Sequence, residues 1–227
     1  NVEDVQFDFE DARERHAYDA VTRYINERFE QLEGEKPGKG FVMTIYRRRA
    51  SSSPQAIRES LNRRRTGLQA IVEQRAYDVE IRRNDVPEIL SDDDLPEGER
   101  AISAAFPESP EVARAELVEV ERLLAELNGL GALDSKRDKF FSLLRHVTDD
   151  GRPALVFTEY TDTMDYLRDA LVDHYGSRLG CYSGDGGRIW DGESWNSVTK
   201  DSITRSLRDG ELAVLICTDA ASEGLNL

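Results

Sequence analysis

AVLICTDAASEGLNL, residues 213–227, joins a short apolar, β-branched run ending at Cys217 to a loop of hydroxyls, carboxylates and one glycine. The apolar run suits a strand buried on both faces. In parallel sheets ligands bind beyond the carboxyl ends of the strands, so the loop stands where chemistry is usually done. An ordinary strand and turn would have the same composition, and the residues upstream must separate the two readings.

Immediately upstream, Thr199 to Arg208 reads as a helix, preceded by a long glycine-rich polar loop, GDGGRIWDGESW. RLGCYS and PALVFT read as strands, the second ending near Thr158. TDTMDYLRDALVDHY between them reads as a helix capped by Thr161 or Asp162. DSKRDKFFSLLRHV, from Asp134 to Val147, is a further helix, and DDGRP is a turn. Strand, helix, strand, helix, strand with short connections predicts a parallel α/β sheet over residues 134–227.

Residues 1–133 read as mostly helical. From Asp8 to Leu32, Phe9, Ala12, His16, Ala20, Tyr24 and Phe29 recur at helical steps, which makes His16 a packed histidine rather than a ligand. GEKPGKG is a turn; its PGKG lacks the spacing and the strand context of a Walker A phosphate loop. FVMTIYRRR is helical and leads to SSSP, where Ser52 or Ser53 caps a helix that has Pro54 in its first turn and runs to residue 83. Ile57, Leu61, Leu68, Ile71 and Val72 form its apolar side. Arg58, Arg63, Arg64 and Arg65 point elsewhere, either as solvated charges or as contacts to a phosphate backbone. Residues 84–111 carry nine acids against one arginine and read as a linker or surface excursion. Ser109 and Pro110 start another helix, to Leu127, with Val112, Ala115, Val118, Leu123 and Leu127 as its apolar positions, and NGLGAL breaks it.

The chain has 227 residues and a net charge of −15, which excludes a protein whose whole surface attracts nucleic acid. Charge is uneven, however: Phe41 to Arg83 holds ten arginines and four acids, so that segment is +6 and the remainder −21. Five lysines stand against 25 arginines and 45 acids, the pattern of a surface adapted to high salt. Cys181 and Cys217 fall in apolar runs and read as buried free thiols, and two Cys with three scattered His make neither a disulfide framework nor a metal site. With no export signal at the acidic start and no membrane-length apolar run, the expected location is the cytoplasm.

Residues 134–227 resemble the first half of the second RecA-like lobe of a superfamily 2 helicase of the Swi/Snf type. SKRDKFFSLL resembles the helix that opens this lobe, ALVFTEYTDTMDYL its motif IV, CYSGDGG the following strand and glycine turn, and LICTDAASEGLNL its motif V. The TDAASEGLNL spelling, with FVMTIYRRRASSSPQAIRESLNRR upstream, is most similar to the branch that includes the RNA-polymerase-recycling ATPase RapA. The resemblance implies an α/β fold with a partial RecA-like parallel sheet, and a helical inter-lobe region before it. It also implies an ATP-dependent motor on double-stranded DNA. Thr158, Thr161, Ser183, Gly184 and Thr218, all at strand ends, would contact the DNA backbone, with Arg63, Arg64 and Arg65 bearing on the same duplex. Glu223, Gly224 and Asn226 would face the ATP cleft and the opposite lobe.

No Walker A lysine and no DExx pair occur in these residues, nor does motif VI. ATP and Mg²⁺ are therefore expected in an intact enzyme that includes the first RecA-like lobe, with neither bound to these residues alone. The expected partners are double-stranded DNA, that first lobe, and RNA polymerase or a restriction or repair complex. Two other readings stand beside this one: a non-enzymatic protein- or nucleic-acid-binding module with a degenerate helicase lobe, and a superfamily 2 RNA helicase. The GLNL ending and the long segment before Asp134 favour the DNA branch by similarity.

Overall fold

The computed structural model describes residues 4–35, 40, 42–73, 105–107 and 109–218. Contacts divide the chain into two units, the first reaching Lys136 and the second beginning at Arg137. The acidic stretch 84–104 and the loop after Thr218 lie outside the described residues.

Among the described residues four helices build the first unit: α1 (Ala12–Glu35), α2 (Val42–Ser52), α3 (Pro54–Val72) and α4 (Pro110–Gly129). Ser53 caps α3, its hydroxyl accepting the Ala56 N–H at 3.0 Å, and Ser109 caps α4 through the Val112 N–H at 3.3 Å. Each serine is followed by a proline, which has no N–H to leave unpaired at the first helical position.

The buried stripe of α1 is Glu14, Ala17, Ala20, Val21, Tyr24, Ile25, Arg28 and Leu32. His16 is therefore exposed, 4.0 Å from Glu126, and not packed as the spacing suggested. On α4 the buried positions are Ala113, Glu116, Val120, Leu123, Leu124 and Leu127, and Val112 and Val118 are 49% and 64% exposed. Both corrections have one cause: an alternative three-and-four spacing, which accepts Glu14 and Arg28 on α1 and Glu116 on α4, gives a longer continuous stripe than the all-apolar choice. Gly40 supports this unit by close approach, since a Cβ there would lie 2.9 Å from the Phe29 carbonyl oxygen.

Among the described residues three α-helices and five strands form the second unit: α5 (Ser135–Asp149, whose first two residues belong to the helical unit), β1 (Ala154–Thr158), α6 (Thr161–Tyr175), β2 (Leu179–Ser183), β3 (Gly186–Trp190), β4 (Trp195–Val198), α7 (Lys200–Arg208) and β5 (Val214–Thr218). The sheet order is β1-β5-β2-β3-β4, with β1, β5 and β2 parallel and the last two strands antiparallel. β5 thus lies between the two earlier parallel strands, and every residue of it is buried. One face packs Val156, Cys181, Val214 and Ile216 against α5 and α6; the other packs Leu215 and Cys217 against α7. This is an α/β lobe consistent with part of a RecA-like C-terminal helicase domain.

The segment GDGGRIWDGESW is not the loop expected from its glycines. It holds most of an antiparallel hairpin, pairing Arg188 with Ser197 and Trp190 with Trp195. Asp191 closes the turn by accepting the Glu193 and Ser194 N–H groups, both at 2.8 Å, and these backbone donors hold its carboxyl down at about 2. Gly186, at φ 102°, turns the chain from β2 into β3 where an L-residue would be strained. Arg168 of α6 tethers the hairpin, its guanidinium 5.2 Å from the Trp195 ring and its Nε donating to Asp169 at 2.8 Å.

Candidate nucleic-acid interface

The parallel register places Thr158 of β1 beside Thr218 of β5. Tyr182 pairs with Cys217, so Ser183, the next residue of β2, stands level with Thr218 on its other side. Successive strand residues alternate faces, and Thr158, Thr218 and Ser183 share the face of Val156, Ile216 and Cys181. Three hydroxyls therefore form a row across the carboxyl edge, on the side covered by α6. Thr158 and Ser183 are buried, and Thr218 is buried completely. The Thr218 Oγ1 has no hydrogen-bond partner among the described residues, although a buried hydroxyl ordinarily finds one.

α6 begins at this edge, directly after β1. Its N-cap position is Tyr160, whose side chain makes no capping bond, so Thr161 and Asp162 are its first helical residues and not its cap. In contrast α7, whose start at Thr199 also follows a strand, is capped by the Thr199 hydroxyl, which accepts the Ser202 N–H at 3.2 Å. The start of α6 carries the positive end of the helix dipole, an environment that suits a phosphate, while its Thr163 N–H donates to the Tyr160 carbonyl at 3.1 Å. Gly184 lies in the exposed turn between β2 and β3, next to Ser183.

The arginines behave differently. Arg64 is 1% exposed, so it is not available as a surface contact. Its Nε donates to Glu116 Oε1 at 2.8 Å, its Nη2 to the Ala105 carbonyl at 2.9 Å, and its guanidinium lies 4.5 Å from the Phe106 ring. Arg28 reaches the same carboxylate at 3.4 Å and the same carbonyl at 3.3 Å, and the Tyr24 hydroxyl donates to Glu116 Oε1 at 2.8 Å. Desolvation opposes the Arg64 charge, but Tyr24, Glu116 and Tyr46 around it hold its pKa above the ordinary value. Desolvation likewise pushes the Tyr24 hydroxyl well up, so it remains a donor. Arg58 donates to the Leu127 carbonyl at 3.3 Å, near the end of α4. Arg63 and Arg65 flank Arg64 half-buried.

Glu223, Gly224 and Asn226 lie outside the described residues. Among the described residues no cluster of three or more His, Cys, Asp or Glu could hold a metal ion, and no helix is long and apolar enough to cross a membrane. Cys181 and Cys217 are free, buried and on opposite faces of the sheet; desolvation pushes their thiols up to about 11 and about 12. Sequence reasoning missed the uncapped start of α6. Its signal was Tyr160, an aromatic at a position where Ser, Thr, Asp or Asn would cap.

An α/β lobe with polar groups gathered at the carboxyl ends of parallel strands belongs to the class of folds that bind phosphorylated ligands at that edge. Residues 135–227, a span that includes the hydroxyl row, match the helicase conserved C-terminal domain. The match supports a likeness of these residues to helicases. No curated protein sequence and no solved structure matches the chain.

Proposed function

We propose that these residues form part of an ATP-dependent DNA translocase of the Swi/Snf type, in the RapA-like branch, and grip the sugar-phosphate backbone of double-stranded DNA. The observation that carries this reading is the buried, unpartnered hydroxyl of Thr218, in register with Thr158 and level with Ser183 beside the uncapped start of α6. Hydroxyls and main-chain N–H groups suit a motor, because phosphate contacts carry no base information and allow movement along any sequence. Thr158, Thr161, Ser183, Gly184 and Thr218 are the proposed contacts. Arg63 and Arg65 are secondary candidates, and Arg64 serves the helical core instead.

In the intact enzyme a first RecA-like lobe would complete the nucleotide cleft, with Glu223, Gly224 and Asn226 on this side of it. ATP would supply the energy of closure, and Mg²⁺ would neutralise its phosphates. Hydrolysis is assigned to the intact enzyme, and these residues alone are expected to be inactive. A transcription, restriction or repair complex in the cytoplasm is the proposed setting.

Fluorescence anisotropy with labelled duplex DNA tests this reading. The chain is expected to bind duplexes of unrelated sequence with similar affinity, and the logarithm of the binding constant should fall linearly with the logarithm of salt concentration. Absence of binding at low salt, or tight binding to one sequence alone, would contradict it.

A further inference from the structure

A groove of about 320 Å³ opens in the helical unit between the segment before α1, the outer side of α1, α2 and the first residues of α5. Its lining includes Phe7, Phe9 and Tyr18, the side chains of Asp19 and Thr22, and the cations Arg47 and Lys136. We propose that this groove binds a nucleotide unit, with the base against Phe9 and Tyr18 and the phosphate at Arg47 and Lys136. The site lies wholly within the helical unit and does not depend on the reading of the hydroxyl row.

The ring geometry favours a planar ligand. Phe9 and Tyr18 lie 5.0 Å apart with planes tilted by 31°, and Phe7 meets Phe9 edge-on at 5.7 Å and 89°. Phe9 and Tyr18 thus form one slightly opened aromatic wall with Phe7 turned edge-on beside it, and a base lying against that wall gains the usual stacking increment for either purine or pyrimidine. The groove is at the small end of the range of ligand pockets, the size of one nucleotide rather than of a peptide segment.

Charge supplies the second argument. Arg47 donates to Asn26 Oδ1 at 2.6 Å, and Lys136 donates to the carbonyls of Ser51 and Ser52 at the end of α2. Neither has a carboxylate oxygen within 4.0 Å among the described residues, although the chain holds 45 acids. Arg47 and Ser51 are one helical turn apart on α2 and Lys136 is held at Ser51, so both cations line the same groove and can approach one phosphate. Desolvation lowers the Lys136 pKa, an effect that an incoming phosphate would reverse. Asp19 and Thr22 are one turn apart on α1 and add an acceptor and a hydroxyl, which match sugar hydroxyls or a base amino group and disfavour a bare anion.

The test uses etheno-AMP, a fluorescent adenine nucleotide, titrated into the whole chain at about 0.15 M salt. Saturable binding is expected. Phe9→Leu and Arg47→Gln should each weaken it about tenfold, whereas Arg48→Gln, on the neighbouring arginine outside the groove, should not. Ethenoadenosine, which lacks the phosphate, should bind more weakly and be indifferent to Arg47→Gln, a pattern that a merely structural role for Arg47 would not produce. Circular dichroism on each variant confirms folding, and if Phe9→Leu unfolds the segment, the Arg47 and ethenoadenosine comparison still decides. Competition by short oligoadenylate separates the sources: displacement at lower concentration than AMP identifies a nucleotide within a strand, and equal displacement per nucleotide a free one, both upholding the site. No saturable binding, equal loss in Arg48→Gln, or inorganic phosphate competing as well as AMP would overturn it.

Discussion

In the helical unit the polar groups drawn into the interior include ionised ones: Arg28, Arg49 and Arg64 with Glu14 and Glu116. In the α/β unit they are hydroxyls, Thr158, Thr163, Ser183 and Thr218. The buried charges have partners. Glu116 takes Arg28, Arg64 and Tyr24, Arg49 donates to the Ala56 carbonyl at 3.1 Å, and Glu14 accepts the Ser135 N–H at 3.0 Å at the start of α5. The Thr218 hydroxyl has none among the described residues. Arg28 Nε, Arg64 Nη1 and Glu116 Oε2 also lack a hydrogen bond among the described residues, but each of those side chains is held through another atom, whereas the Thr218 hydroxyl is the whole polar group of its side chain. The buried arginines hold helices together, and the inconspicuous hydroxyls are the better functional candidates.

The largest effect should come from removing the carboxylate that two guanidiniums share. Glu116→Leu leaves Arg28 and Arg64 as uncompensated buried charges and should cost about 3–5 kcal/mol in urea unfolding of the helical unit. Glu119→Ala, at an exposed neighbouring turn of α4, should cost little. Near-equal losses would remove the contrast between the two interiors.

A smaller change tests the local rules. Ser53→Ala and Ser109→Ala should each cost about 1 kcal/mol, because each removes a bonded cap. Tyr160→Ser would add a capping hydroxyl at the start of α6 but remove a side chain only 1% exposed, so the net change should be a loss of stability, and a neutral result would mean that the tyrosine contributes little to packing.

The thiols report on the sheet. Both have folded-state pKa values raised by burial, so their contribution to stability is fully present below the unfolded value of about 8.5 and is lost as pH rises toward about 11 for Cys181 and about 12 for Cys217. At pH 8 iodoacetamide should leave both unmodified in the native chain and label both in urea. Rapid labelling of the native chain would show that the sheet opens readily.

Much of this was legible in the sequence. The strands β1, β2 and β5, the helices between them and the Ser-Pro helix starts follow from composition and spacing alone. The hairpin did not, because its two strands are short and its glycines outweigh the alternation of Arg188 with Trp190 and Trp195 with Ser197. The buried charges were visible in principle. Arg64 lies between Leu61 and Leu68, Arg28 between Tyr24 and Leu32, and Glu116 between Ala113 and Val120, each at the step a helix requires for the inward face. A reading that reserves this face for apolar residues passes over all three. Register, which sets Thr218 beside Thr158, comes from pairing across the sheet and is not written in either strand.

The central claim is that the hydroxyl row exists to hold phosphate and not to stabilise the sheet. Replacing Thr218 by Val keeps the shape and removes the oxygen, so duplex-DNA affinity and urea stability measured on the same variant test the claim most directly. The account predicts unchanged or slightly higher stability, since an unpartnered buried hydroxyl is lost, together with DNA binding weakened about tenfold. A fall in stability of about 1 kcal/mol or more with DNA affinity intact would contradict it.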